Sequence, residues 1–397
     1  MPEAMVRERA MPVHAVAATV PQAAAGVVVR AAVYGGSGYA DGNLDVLAGL
    51  EPCRLPMQLI ALGEQQDRAG LLAPARRRAL EKLQQRRLNL AESVFYQSCP
   101  PPNFMIEAPA RATIGRCAFE TDALPAGWGE RCNHLDQIWV PSTFNGESFV
   151  RGGVEPQRLR VLAEGVDTRQ YRPGLQPLPI PGRRGFNFLS VFDWIDRKGW
   201  DVLLRAYFDA FTAEDDVALI VKTHKFDEPG VNLEERLVWL IEHEYGVPLE
   251  RAPTILLLSG LLPKADMPRL YAAADAFVLP TRGEGWGRPF MEAAAAQMAV
   301  VATRWSGHLD FLNDGNSHLI DIEGVVPVPN TTDRDIYLGQ GWAEPSAEHL
   351  SQILRQLAAD PAAARQRARR ARQDMVERWD RMVLAPQWAA AFDELLA

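Results

Sequence analysis

Between Phe186 and Ala302 five short apolar runs alternate with four helical patterns. Strands are predicted at Phe186–Val191, Val217–Val221, Thr254–Leu258, Ala276–Leu279 and Ala299–Ala302. Helices are predicted near Trp200–Phe211, Leu233–Glu244, Asp266–Ala273 and Pro289–Gln297. Apolar runs of that length without polar alternation are strands buried on both faces. Strand–helix alternation at such spacing leaves one economical arrangement, a parallel sheet with helices on both faces. The first half repeats the pattern less cleanly. Its strands are predicted at Val27–Tyr34, Gln58–Leu62, Val94–Gln97, Thr113–Phe119, Ile138–Pro141 and Leu159–Leu162, with helices near Asn43–Leu50, Pro74–Arg87 and Thr143–Arg151.

A chain of 397 residues exceeds what one ordinary core holds. Pro173, Pro177, Pro179 and Pro181 crowd one short stretch, which forbids a helix and makes a stiff extended connector. The expected organisation is a first α/β domain over residues 1–172, a linker over 173–185 and a second α/β domain over 186–380. The tail from Ala362 reads as long helix with a break at Pro386, and residues 381–397 are expected to return to the first domain. Both domains are expected to be Rossmann-like, doubly wound parallel sheets facing a cleft.

The net charge of −8 argues against a nucleic-acid partner, which calls for a basic footprint. No stretch of 18 or more apolar residues appears, so no spanning helix is expected. The first residues mix Arg7, Arg9, His14 and Pro21 with short apolar pieces and lack a signal-peptide core. Cys53, Cys99, Cys117 and Cys132 show no paired spacing and read as reduced cysteines of a cytoplasmic protein. A zinc site from the last three with His134 has unusual spacing, and Asp333-Arg-Asp335 falls in a late loop; no metal is expected from either. Basic runs around Arg76–Arg87 and Arg365–Arg372 read first as solvated helix faces. A weak peripheral contact with an anionic membrane at the inner face is the alternative.

The most informative segment is Pro280-Thr-Arg-Gly-Glu284-Gly285-Trp286-Gly287-Arg288-Pro289-Phe-Met-Glu292. It leaves a buried strand, turns on glycines and opens an alanine-rich helix. Pro289 suits a first helical position, and Gly285 and Gly287 let backbone amides approach a ligand. A helix N-terminus offers free N–H groups to a phosphate or polyhydroxy ligand. Glu284 in the turn can accept from sugar hydroxyls and Glu292 from a ribose diol. Taken alone, both acids also read as ordinary turn and first-turn residues.

The loop Asp196-Arg197-Lys198-Gly199 follows another strand and sets two adjacent cations before an amphipathic helix. A guanidinium fork and a mobile ammonium both suit phosphate. After the first strand, Tyr34-Gly35-Gly36-Ser37-Gly38-Tyr39-Ala-Asp-Gly-Asn43 reads as a flexible loop. It fits neither the G-x-G-x-x-G nor the G-x-S-x-G spacing, so dinucleotide and serine-hydrolase readings fail.

Together these residues resemble the retaining GT-B glycosyltransferases of the family-4-like group, the glycosyl transferases group 1. Arg197-Lys198-Gly199 with Asp201-Val-Leu-Leu resembles that group's phosphate clamp, and Glu284 through Glu292 its E-x7-E signature. The stretch from Leu258 to Thr281 is similar to its nucleotide site. Asp136 to Ser142 and Val161 to Pro173 are similar to the end of its first domain. The likeness is good over residues 135–320 and weak before 130.

The resemblance implies a glycosyltransferase of hexosyltransferase type, using a nucleotide-sugar co-substrate, without a cofactor, on an acceptor that is a glycan, glycolipid or small molecule. It implies that Arg197 and Lys198 hold the leaving diphosphate and that Glu292 binds the ribose. Glu284, with the amides of Gly285, Trp286 and Gly287, positions the donor sugar, and Arg288 joins them in binding the nucleotide-sugar. It implies too that the loop with Gly36, Ser37, Gly38, Tyr39 and Asn43 lies over the cleft. Glu120 occupies the place of a family histidine near the reacting sugar. Two departures stand out: Val191-Phe192 replaces a Gly-Arg pair, and Gln297-Met298 replaces a glycine. A nucleotide-sugar epimerase or hydrolase, or a non-catalytic sugar-nucleotide sensor, are the competing readings of the same fold.

Overall fold

Two six-stranded parallel sheets organise the chain in the computed structural model, which describes residues 24–64, 66–67, 70–224 and 230–397. The first holds β1 (Val27–Ala31), β2 (Met57–Ala61), β3 (Val94–Ser98), β4 (Ala112–Arg116), β5 (Gln137–Val140) and β6 (Leu159–Val161), in the order β2-β1-β3-β4-β5-β6. The second holds β7 (Phe186–Asp193), β8 (Val217–His224), β9 (Thr254–Ser259), β10 (Ala276–Leu279), β11 (Ala299–Thr303) and β12 (His318–Ile320), in the order β12-β11-β10-β7-β8-β9. Counted from β7, that is the strand order of the dinucleotide-binding fold, with a reversal between β7 and β10. An antiparallel ribbon, β13 (Ile322–Pro327) with β14 (Gly341–Pro345), stands outside both sheets.

The central strands form where the apolar runs lie because burial on both faces is their main source of stability. β10 is wholly buried, and β7 with β8 is buried through most of its length in a paired register from Phe186↔Val217 to Asp193↔His224. One apolar core covers the second sheet and another the first; a third, around Phe119, Trp128, Tyr337 and Trp342, joins the domains. All eleven predicted strands are present with ends shifted by a few residues. The sequence reading missed β12, too short for a pattern of its own, and the ribbon, whose one-sided burial hides it from a search for fully apolar runs.

Two expectations need correction. The supposed loop after β1 turns helical at Gly38, so Tyr39 and Asn43 lie in the helix Gly38–Leu50, capped by the Ser37 hydroxyl on the Ala40 amide at 3.2 Å. The tail breaks at Trp379–Asp380, between helices Pro361–Arg378 and Arg381–Leu396, and not at Pro386. Asp380 accepts from the Met382 amide as the new cap, whereas Pro386 sits within the last helix and forfeits only the bond to the exposed Met382. That last helix packs Trp388 and Phe392 against Tyr96 and Trp139 of the first domain.

Cys53 is exposed while Cys99, Cys117 and Cys132 are buried, and all four are unpaired. Among the described residues no helix is long and apolar enough to cross a membrane. The amino-terminal residues read above for a signal core lie outside the described residues.

Candidate active site

The strand order reverses between β7 and β10, and the loops leaving those two strands open a crevice there. Leaving β7, the chain makes one tight turn over Asp196–Lys198 and reaches Gly199 at φ 65°. A Cβ at Gly199 would lie 2.0 Å from the Pro280 carbonyl oxygen, so only glycine lets this turn meet the exit of β10. The Arg282 amide donates to the Arg197 carbonyl at 2.7 Å, which ties the two loops together. As a result the Lys198 Nζ lies 2.5 Å from Glu284 Oε1.

Arg197 is buried, and its guanidinium is already engaged. Its Nε donates to the Tyr337 hydroxyl at 3.0 Å and one terminal nitrogen donates to the Gly283 carbonyl. Its terminal nitrogens lie 3.4 Å from Glu120 and 3.5 Å from Glu284. Lys198, by contrast, meets a carboxylate that faces the cavity. Burial raises the Glu284 pKa, but Lys198 and then Arg197 overcome that and hold it at about 2. The Glu284 amide takes the Ser306 hydroxyl as acceptor at 2.9 Å, which fixes the turn.

Glu292 has the opposite electrostatics. It lies one turn into the helix Arg288–Ala295, in which Pro289 is the second residue and not the first. Burial pushes its carboxyl up; Arg288 at 3.9 Å opposes, Asp41 and Asp45 add to the rise, and the pKa reaches about 7. The Tyr271 hydroxyl donates to it at 2.8 Å. Arg288 itself reaches into the first domain, 2.5 Å from Asp45 and 3.2 Å from Glu164, and Arg381 pairs with Asp45 at 2.8 Å.

The first domain faces this crevice with the ends of β1 and β4. Gly36, Ser37, Gly38 and Tyr39 line the cavity, with the Tyr39 hydroxyl donating to the Ala118 carbonyl at 3.1 Å. Glu120 lines it too, accepting from Tyr337 at 3.1 Å. Asn43 does not line it: its side chain is buried behind the loop and donates to the Ala32 carbonyl at 2.9 Å, fastening the helix to the strand end. The glycine turn has a role the sequence did not suggest. A Cβ on Gly283 would fall 1.9 Å from the Glu120 carbonyl oxygen and one on Gly285 2.7 Å from the Ala118 Cβ, so both are bare to admit the other domain.

Apart from Asn43, every candidate site residue read from the sequence lines one cavity of about 890 Å³ between the domains. Trp286 lines it as well, yet its indole turns inward onto Phe311 at 5.0 Å and Trp379 at 5.6 Å. Arg76 of the first basic run also lines the cavity, with its guanidinium on the Leu44 carbonyl, and so is no part of a solvated face. The sequence reading missed Asp45, Glu164, Lys222, Tyr337 and Arg381. Lys222 lies near the end of β8, donates to the Gly260 carbonyl, and is lowered by burial to about 8. A lysine closing an apolar strand run was the available signal for it; the others come together only through tertiary contacts.

Residues 183–330 match the family model of the glycosyl transferases group 1. The chain carries a group 1 glycosyl transferase domain. Around that domain the described residues have the GT-B fold. Sucrose-phosphate synthase from Thermosynechococcus elongatus superposes with a TM-score of 0.66 at 13% identity, covering 94% of this chain and 99% of that one. Anabaena HepE, solved with UDP and glucose, superposes with a TM-score of 0.62 at 15% identity, over 93% and 99%. Among curated relatives, a D-inositol 3-phosphate glycosyltransferase of Segniliparus rotundus is 25% identical over 199 residues, 49% of this chain and 39% of the relative. A GDP-mannose-dependent alpha-(1-6)-phosphatidylinositol monomannoside mannosyltransferase of Mycolicibacterium smegmatis is 24% identical over 255 residues, 57% and 62%. The chain thus spans less than two thirds of the curated relatives it matches. The group 1 domain contains Arg197, Lys198, Glu284 and Glu292, while Glu120 and the loop after β1 belong to the domain facing it.

Proposed function

We propose that this chain is a retaining glycosyltransferase, moving a sugar from a nucleotide-sugar donor to an acceptor bound in the cleft between its domains. The observation that carries this reading is the Lys198–Glu284 pair, 2.5 Å apart at the reversal of the second sheet, facing Glu120 across the cavity. Lys198 neutralises the leaving diphosphate. Arg197, which donates to Tyr337 and to the Gly283 carbonyl, stands beside Lys198 on the diphosphate and also anchors Glu284 and Glu120. Glu284, held ionised, accepts hydrogen bonds from the donor sugar, and Glu292 with Tyr271 receives the ribose.

In the reaction the bond from the anomeric carbon to the phosphate oxygen breaks, and its electron pair stays with the diphosphate. The acceptor oxygen bonds to the same face of the sugar, and its proton passes to the departing phosphate oxygen. No protein base is required, unlike hydrolysis between two flanking carboxylates. Catalysis is then charge stabilisation and positioning. Four unpaired cysteines, three of them buried, support a cytoplasmic setting.

Thermal-shift screening against UDP-, GDP-, ADP- and dTDP-sugars tests the donor site, since a bound donor raises Tm by mass action. UDP and GDP sugars come first, given the UDP bound to HepE and the GDP-mannose named for the mycobacterial relative. Product with retained anomeric configuration supports the reading. Rapid epimerisation or hydrolysis of donor without acceptor overturns it, as does tight donor binding with no turnover.

A further inference from the structure

The ribbon β13–β14 belongs to the second domain by sequence and packs against both domains. Its root is fixed beside the active-site turn: the Ala343 amide donates to the Arg282 carbonyl at 3.0 Å. The Arg282 guanidinium is clamped by Asp201 at 2.7 Å and Glu344 at 2.9 Å, and lies 5.7 Å over the Trp342 ring. Its connecting loop crosses the cleft. Val328, Tyr337 and Trp342 are buried among Phe119, Trp128 and Phe149 of the first domain. The Thr121 hydroxyl donates to Gln340 at 2.5 Å, and the Gly341 amide donates to the Asp122 carboxylate at 2.7 Å. On its other side the loop is stitched to the Arg197 turn, the Asp333 amide donating to Asp196 at 3.1 Å and the Asp196 amide to Asp333 at 3.3 Å.

We infer that this ribbon is an arm spanning the cleft, and that Tyr337 is a positioning residue which sets the Glu120 carboxylate against the Arg197 guanidinium for transfer. The inference rests on the reading under Proposed function. A phenol has one proton and can accept in return. Tyr337 spends that proton on Glu120 Oε2 at 3.1 Å and accepts from Arg197 Nε at 3.0 Å. The other Glu120 oxygen faces Arg197 at 3.4 Å, so both carboxylate oxygens are held, one by each partner. Glu120 comes from the first domain and both partners from the second, so the carboxylate is oriented only when the arm is seated. Burial pushes the phenol pKa well up, which keeps the hydroxyl a donor at all working pH values. The ring is fixed independently, 5.5 Å from Phe119 and 6.3 Å from Trp342.

Tyr337→Phe removes the hydroxyl and keeps the ring. With the donor found by the screen, its kcat falls about tenfold, as expected for a hydrogen bond to a charged group, while donor KM stays close to the parent's and the fall in Tm leaves the protein folded at the assay temperature. Combined with Glu120→Gln, the second substitution adds no further loss, because both act through one contact. A Tyr337→Phe variant as fast as the parent, rate losses that multiply in the double variant, or a lowered Tm that accounts for the loss, each overturns the inference. The same four proteins are also compared by chemical denaturation without substrate. An inert parent whose stability still shows Tyr337–Glu120 coupling overturns the glycosyltransferase reading and the positioning role with it. An active parent with neither rate nor stability coupling overturns the positioning role alone.

Discussion

Glu284 and Glu292 line the same cavity, yet one is held ionised down to about pH 2 and the other keeps its proton until about pH 7. Both are buried, so burial raises both. The difference lies in partners: Lys198 and Arg197 outweigh burial at Glu284, whereas Arg288 at Glu292 is shared with Asp45 and Glu164. In the reading proposed above, the sugar therefore meets a fixed charge and the ribose meets a titrating one.

Donor binding should be linked to a proton at Glu292. A ribose diol donates to a carboxylate, so binding favours the ionised form and affinity rises with pH up to about 7, with proton release below it. Calorimetry at pH 6 and pH 8 in buffers of different ionisation enthalpy measures both effects, and Glu292→Gln should flatten them. An affinity equal at the two pH values contradicts the assignment.

The two acids also act oppositely on the empty protein's stability. Glu292 is raised from 4.5 to about 7, so its contribution is full below pH 4.5 and fades as pH climbs to 7. Glu284 is lowered from 4.5 to about 2, so its contribution is full above pH 4.5 and fades toward pH 2. Urea unfolding of Glu292→Gln and Glu284→Gln across pH 3 to 8 should show the parent's advantage moving in opposite directions.

Lys198→Ala is expected to slow transfer about a hundredfold or more, the scale of losing one charge-stabilising group, with the fold intact by circular dichroism. A variant turning over at the parent rate removes Lys198 from the proposed mechanism.

Arg288→Met leaves Asp45, Glu164 and Glu292 without a shared cation in a buried setting. Removing one partner of a buried ion pair costs about 3 kcal/mol. Because these pairs join the domains, the loss should appear in denaturant unfolding and as a less compact particle in small-angle scattering.

Gly283→Ala places a methyl against the Glu120 carbonyl, which has to move. The expected result is a fall in kcat with donor KM nearly unchanged, since Glu120 shifts while Lys198, Glu284 and Glu292 stay on one domain. Steady-state kinetics in both substrates checks this, and an unchanged kcat contradicts the close approach.

The central strands were legible because they are buried on both faces and so appear as apolar runs. Lys198, Glu284 and Glu292 were legible because each follows a strand end by one glycine-marked turn, Glu292 in the helix that the turn opens, so local sequence carries their placement. Asn43 was misplaced because its spacing is the same whether the segment is loop or helix; the Ser37 cap decides it. Tyr337 and Asp45 were illegible for another reason. The tyrosine reaches Glu120 from the far end of the chain, and the aspartate meets Arg288 across the cleft, so neither contact leaves a local pattern. Gly285, read from the sequence as a ligand-approach glycine, also stands with Gly283 where one domain comes close against the other.

The first domain's core includes Trp388 and Phe392, which lie against Tyr96 and Trp139 at the far end of the chain. During synthesis the first sheet therefore leaves the ribosome with that aromatic surface uncovered. It remains so until the whole second domain and the last helix have followed, although domains generally fold as they emerge. The core of the first sheet is thus completed only after the second domain has been made, and a ribosome stalled before Arg381 would leave Tyr96 and Trp139 without their aromatic cover.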